Sequence, residues 1–267
     1  MFDKYRRNRQ KQLLSRDLSL WDYTISNDGS EIVASTFSDL YLINYNNSSS
    51  SLLVPASNDN FCISPPISSD DSLIIFQHKF GISSVNSDGS NENNIFASDS
   101  VPRYSQPVFT FDGKNFLNVY VNYYNEDFIR YSNLNGGSYN IYSYPGFHDI
   151  STGREDIKVS PYNIVAFAAL AGENSKTFYI HRIDLNTEKD NILTDGYDVN
   201  YSFDYSKLTY LKPNDPNNAI YIYDLSTSTI SSIKTNLQWA NLFHPQLSLN
   251  MKFLVFEADS TYASYQY

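Results

Sequence analysis

Ser26-Asn27-Asp28-Gly29-Ser30-Glu31-Ile32, SNDGSEI, returns four times along the chain: SSDDSLI at 68–74, TFDGKNF at 110–116, SFDYSKL at 202–208 and SLNMKFL at 248–254. A shorter copy, SPYNIVAF, lies at 160–167. The apolar residue that ends each copy is Ile32, Ile74, Phe116, Ile164, Leu208 or Leu254, so the repeat has a period in the forties. Such a period without helical periodicity suits one four-stranded propeller blade per repeat. Asp and Gly tolerate the backbone of a tight turn. The stretch therefore reads as the turn between the first and second strands of each blade. Its Asp residues read as turn formers rather than as catalytic or metal-binding groups.

The fifth repeat shows the internal order. DVNYSF (198–203) reads as a first strand, DYSK (204–207) as a turn, and LTYLK (208–212) as a second strand. PNDPNN (213–218) is a loop rich in punctuation residues. AIYIYDL (219–225) alternates with period two, and ISSIKT (230–235) completes the set. No amphipathic helix is legible, and short strands with regular turn signals argue for an all-β fold. The sixth repeat reads as lacking a fourth strand, while KQLLS (11–15) precedes the first repeat as DNILT (190–194) precedes the fifth. The expectation is a six-bladed β-propeller of four-stranded antiparallel blades over residues 11–267. In it the N-terminal strand completes the last blade and removes two open edges. Residues 1–10 are left as a basic arm.

Composition agrees. Of 267 residues, 41% are hydrophobic, enough for a large core, and 23 Tyr and 17 Phe suit pleated, half-buried surfaces. The net charge of −10 argues against nucleic acid as a partner for the body. Lys4, Arg6, Arg7, Arg9, Lys11 and Arg16 stand apart as a basic stretch. It reads first as a solvated flank, with phosphate or lipid headgroups as the alternative. One cysteine, Cys62, allows no intrachain disulfide. No apolar run is long enough for a transmembrane helix, and the chain opens with no signal-type apolar segment. The expected location is cytoplasmic if the chain is complete, and periplasmic or secreted if a leader was removed.

The repeats resemble the TolB-type propeller repeat, whose pattern reads SPDGKxIAF…IYxxDLxxGxxxxLT. The best matches are SFDYSKLTYL…AIYIYDLSTS and VSPYNIVAF…FYIHRIDLNTEKDNILTDG. The true WD40 repeat is the near competitor. It is disfavoured because no Gly-His dipeptide occurs and Trp21-Asp22 falls in a first strand. The resemblance implies a protein-binding platform. Related propellers also precede serine peptidase domains or degrade polysaccharides, and fold alone does not choose among these.

Catalytic constellations are not legible. There is no G-x-S-x-G elbow. Cys62, in NFCIS, reads as a buried small hydrophobe. His78, His148, His181 and His244 form no metal-binding spacing. His181 sits in a strand. His78, His148 and His244 read as loop residues of one face, where a metal as in the resembling lyases is the minor alternative. Glu126, Asp149, Glu155 and Asp156 are acids that sequence does not pair for glycoside chemistry. No catalytic residue, metal or cofactor is therefore expected.

Binding is expected instead at the long, non-repetitive connections 121–128, 144–156 and 235–246. They carry Tyr123, Tyr124, His148, Trp239 and Phe243, with Arg103 nearby, and Trp, Tyr and Arg are the types that dominate hot spots. The expected function is a non-enzymatic scaffold that binds a protein or peptide at the funnel mouth. A carbohydrate-active enzyme or lectin using the funnel is the first alternative, and a structural subunit of a larger assembly the second.

Overall fold

The computed structural model describes residues 22–259 apart from 37, 56–61, 64, 79–80, 98–102, 125, 148–156, 171–174, 176, 236–240 and 249–252. The described residues contain twenty-two strands and no helix. The first sheet runs β1 (Asp22–Ile25), β2 (Glu31–Ser35), β3 (Leu40–Asn44), β4 (Ser50–Val54). The second runs β5 (Cys62–Ile63), β6 (Leu73–His78), β7 (Gly81–Asn86), β8 (Asn93–Phe96). The third holds β9 (Arg103–Phe109), β10 (Asn115–Val121), β11 (Glu126–Asn133) and β12 (Ser138–Phe147). The fourth holds β13 (Lys158–Val159), β14 (Ile164–Leu170), β15 (Phe178–Asp184) and β16 (Lys189–Asp195). The fifth holds β17 (Tyr197–Tyr201), β18 (Lys207–Leu211), β19 (Ala219–Asp224) and β20 (Thr229–Lys234). β21 (Asn241–Leu247) and β22 (Leu254–Asp259) form the last, two-stranded sheet. Each sheet is a meander of strands in chain order.

The strands expected in the fifth repeat match β17 to β20 to within two residues at each end. The second repeat departs from expectation. Its first strand is short: among the described residues only Cys62–Ile63 and an isolated bridge from Ile67 to Ile74 pair with β6. Pro65 and Pro66 between them have no N–H to donate to a ladder. The proposed closing strand at 11–16 and the residues after 259 lie outside the described residues.

The chain divides into two compact units, residues 1–100 with 104–109, and residues 101–103 with 110–267. In the first, Val33, Leu40, Val54, Cys62, Ile74 and Phe76 form a core between the first two sheets. Burial pushes the Cys62 thiol up to about 12, the sign of an inert buried hydrophobe. In the second unit, Ala166, Ile180, Val199, Tyr201, Leu208 and Tyr210 pack between the fourth and fifth sheets. Leu211, Ile220 and Leu242 pack between the fifth and sixth. β18 is buried from Leu208 to Leu211. β20 is exposed along its whole length, so the fourth strand is the outer edge of that sheet.

The recurring stretch is the turn between first and second strands, and one hydrogen-bond scheme builds it. The Ser26 hydroxyl donates to Asp28 at 2.8 Å and accepts the Glu31 N–H at 2.9 Å. Asp28 in turn accepts the Ser30 N–H at 2.8 Å. Ser68–Asp70–Ser72 and Ser202–Asp204–Ser206 repeat the arrangement, and Thr110–Asp112–Lys114 does so with a threonine. The fourth residue of each turn has a left-handed backbone: Gly29 at φ 71°, Asp71 at 58°, Gly113 at 67°, Asn163 at 58° and Tyr205 at 59°. Around Gly29 nothing would meet a Cβ, so glycine is used there for its backbone alone.

These hydrogen bonds favour the ionised carboxylates. The Ser30 N–H holds Asp28 below the usual range, as do the Ser68 hydroxyl for Asp70 and the Thr110 hydroxyl for Asp112. For Asp204 partial burial works the other way, but the Ser202 hydroxyl and Ser206 N–H outweigh it. Depressed folded values contribute stability above the unfolded pKa that is lost as pH falls through the folded one. The melting temperature is therefore expected to hold down to about pH 4 and to decline progressively below it. A thermal melt series checks this, and stability unchanged at about pH 2 would contradict the assignment.

Candidate functional site

Tyr123 and Tyr124 stand on the turn joining β10 to β11 and are 72% and 74% exposed. Asn122 braces that turn. Its Oδ1 accepts the N–H groups of Tyr124 and Glu126 at 2.9 and 3.0 Å, and its Nδ2 donates to the Glu126 carboxylate at 2.7 Å. The expected loop 121–128 is thus a tight turn, with its aromatics displayed rather than packed. Arg103 opens β9. His148 and Trp239 lie outside the described residues, as do Asp149, Glu155 and Asp156.

Phe243 is not a loop residue. It lies in β21, half-buried, with its ring 6.5 Å from that of His244. The expected loop 235–246 is strand from Asn241 onward, and the expected loop 144–156 is strand as far as Phe147. Among the described residues β21 pairs with β22 alone, and the register shifts between Phe243 and Gln246, around Pro245. A proline at an edge-strand bulge leaves no ladder bond unmade. His78 likewise closes β6 rather than lying in a loop, paired with Gly81 of β7.

The unexpected feature is a polar corner between β17 and β21. Asp198, Asn200 and Thr209 are buried. An Asp198 carboxylate oxygen accepts the backbone N–H of His244 at 2.7 Å, and the Thr209 hydroxyl hydrogen-bonds the Pro245 carbonyl. Both strands are irregular here, with a register shift between Tyr197 and Asn200 in β17. Asp198 and His244 both have left-handed backbones, at φ 54° and 50°. Non-glycine residues held in that region cluster at ligand sites and switch points. The His244 side chain is exposed, so the corner fixes an imidazole at the surface through its own backbone. The Asn200 Nδ2 is buried without a hydrogen-bond partner, the kind of donor that a water or a ligand satisfies. The corner can orient and hydrogen-bond a polar ligand. The signal in sequence was the polar pair Asp198 and Asn200 inside an otherwise apolar first strand.

Nearby, Lys212 Nζ lies 2.6 Å from Asp195 and 5.1 Å from the centre of the Tyr221 ring. Partial burial raises the Asp195 pKa, but the Lys212 ammonium outweighs it and holds the carboxyl low. No group of three or more His, Cys, Asp or Glu is placed to hold a metal among the described residues.

No family model matches the sequence, and no curated protein matches it. Solved structures do match. An oligogalacturonate lyase in complex with manganese superposes with a TM-score of 0.69 at 12% identity, over 88% of this chain and 72% of its own. TolB from Acinetobacter baumannii gives 0.64 at 15% identity, over 88% of this chain and 58% of its own. A putative TolB from Agrobacterium tumefaciens gives 0.61 at 14% identity, over 92% of both chains. The fold is that of the TolB-like propellers. At these identities the likeness speaks for the fold and not for the activity. This chain spans little more than half of the A. baumannii protein, 58%.

Proposed function

We propose that the chain is a non-enzymatic six-bladed propeller that binds a protein or peptide at the mouth of its channel. The observation that carries the reading is the Tyr123–Tyr124 pair. Two large aromatics are held out from a braced turn on a rigid sheet, where ordering them on binding costs little conformational entropy. Trp239, His148, Phe243 and Arg103 belong to the same proposed surface. The test uses the full chain as bait in an extract of its native host, with recovered proteins identified by mass spectrometry. Tyr123→Ser with Tyr124→Ser is expected to reduce capture of the partner about tenfold at unchanged melting temperature. Equal capture by the double variant refutes the site.

Six blades, closed by residues 11–16 as the outer strand of the last, are part of the proposal. The support is the sixfold turn repeat and the likeness of KQLLS to DNILT. Removing residues 1–16 is expected to lower the melting temperature sharply, whereas removing 1–9 should leave it nearly unchanged. A truncated chain that melts like the full one contradicts the closure.

The second reading is a carbohydrate-active protein. The Asp198–His244 corner and the fold likeness to an oligogalacturonate lyase favour it. Oligogalacturonate incubated with the chain and manganese discriminates the two. Formation of unsaturated product that His244→Ala abolishes would favour the enzyme.

A further inference from the structure

The recurring turn carries a second feature, at the opposite ends of the strands from Tyr123 and Tyr124. In the first unit the second residue of the turn points along the row of turns. Asn27 donates its N–H to Asp71 of the next turn at 2.9 Å and its side-chain amide to the Ser68 carbonyl at 3.2 Å. In the second unit, taken by itself, the same turns display aromatics instead. Phe111 is 53% exposed and Phe203 61%; in the turn between them Pro161 takes that place, and Tyr162 beside it is 67% exposed. The turns do not need these rings, because the hydroxyl and backbone hydrogen bonds that close them form equally well around Asn27.

A single exposed aromatic calls for no explanation, but a set in three successive turns marks an interaction surface. Its charge indicates what the surface fits. Asp112 and Asp204 adjoin the two phenylalanines and are held ionised by their turns. The turns between third and fourth strands end on the same side and add Asp184, Glu188 and Asp224. The lysines there are Lys114, Lys189 and Lys207, and Lys207 is engaged by Asp224. Aromatic faces beside carboxylates suit guanidinium groups, which stack on the ring while pairing with the acid. We propose that the turns 110–115, 160–163 and 202–207 form a docking surface for an arginine-rich extended segment of a partner protein. The net charge of −10 steers such a segment toward the chain.

The test uses the full chain and a fluorescein-labelled peptide of alternating Arg and Gly, followed by fluorescence anisotropy at about 50 and about 300 mM salt. Binding is expected to weaken at the higher salt, and the matching Lys-Gly peptide to bind more weakly. Phe111→Ser with Phe203→Ser is expected to weaken binding about tenfold at an unchanged melting temperature. Asp112→Asn with Asp204→Asn keeps the turn acceptors and should flatten the salt dependence. Tyr123→Ser with Tyr124→Ser should bind the peptide like the parent, which separates this surface from the proposed mouth site. Binding unchanged in the phenylalanine variant would reveal general attraction to an acidic body and overturn the proposal. So would absence of binding by the parent, or a phenylalanine variant that alters self-association in sedimentation instead, the sign of a second copy as occupant.

Discussion

Phe167→Ala is expected to destabilise the protein by about 3–5 kcal/mol. Phe167 is fully buried in β14, opposite His181 of β15. Its ring lies 5.1 Å from the His181 ring at 12°, and Tyr142 of β12 meets it edge-on at 4.9 Å and 67°. Tyr142 also meets the imidazole at 5.1 Å. The three rings join the third sheet to the fourth, and the two carbocyclic ones cover the imidazole of His181, whose Nδ1 is 2.9 Å from Asp190. Truncation removes the transfer energy of a phenyl ring and leaves a cavity that rigid sheets cannot collapse to fill. Phe167→Leu keeps most of the volume and loses the ring contacts, so about 1–2 kcal/mol is expected. Urea unfolding measures both, read as a lower midpoint at unchanged slope. A cost below about 1 kcal/mol for the alanine would show that the ring cluster does not anchor these sheets.

Asp198→Ala is expected to cost about 2–3 kcal/mol, from a charge-assisted hydrogen bond lost at a buried site. Alanine also sits poorly at φ 54°, where Asp and Asn are tolerated. Asp198→Asn keeps both the acceptor and the backbone preference and should cost less than half as much. The loss should be local as well as global. The His244 amide, now without its 2.7 Å acceptor, should exchange with solvent faster in Asp198→Ala than the fall in global stability accounts for. If exchange at His244 tracks global stability in both variants, the carboxylate does not position the histidine. The corner would then be packing rather than a prepared site.

What could be read in advance depended on how far apart the interacting residues are. In the recurring turn the hydroxyl, the carboxylate and the amides they bond lie within six residues, as from Ser26 to Glu31. Local chemistry alone closes it, so its residue types repeat visibly and carry the blade period with them. The burial of Cys62 was legible from its apolar flank, whereas Tyr123 and Tyr124 were expected on a long connection and stand on a turn braced by Asn122. Asp198 and His244 are 46 residues apart and meet only because β17 and β21 pack side by side. Phe167, Tyr142 and His181 come from three strands of two sheets. Phe243 reads as a loop residue because the stretch 235–246 is long and has no counterpart in the other repeats. Pairing with β22 makes it strand instead: among the described residues β21 has a neighbour on one side, so Pro245 forfeits no ladder bond there, and the register shift accommodates it. The turn row was readable as a fold signal, but its exposed rings acquire meaning only when successive turns stand side by side. Asn27 shows this by reaching Asp71 across 44 residues of chain. Such contacts depend on the register and packing of whole sheets, which no local run of residues encodes.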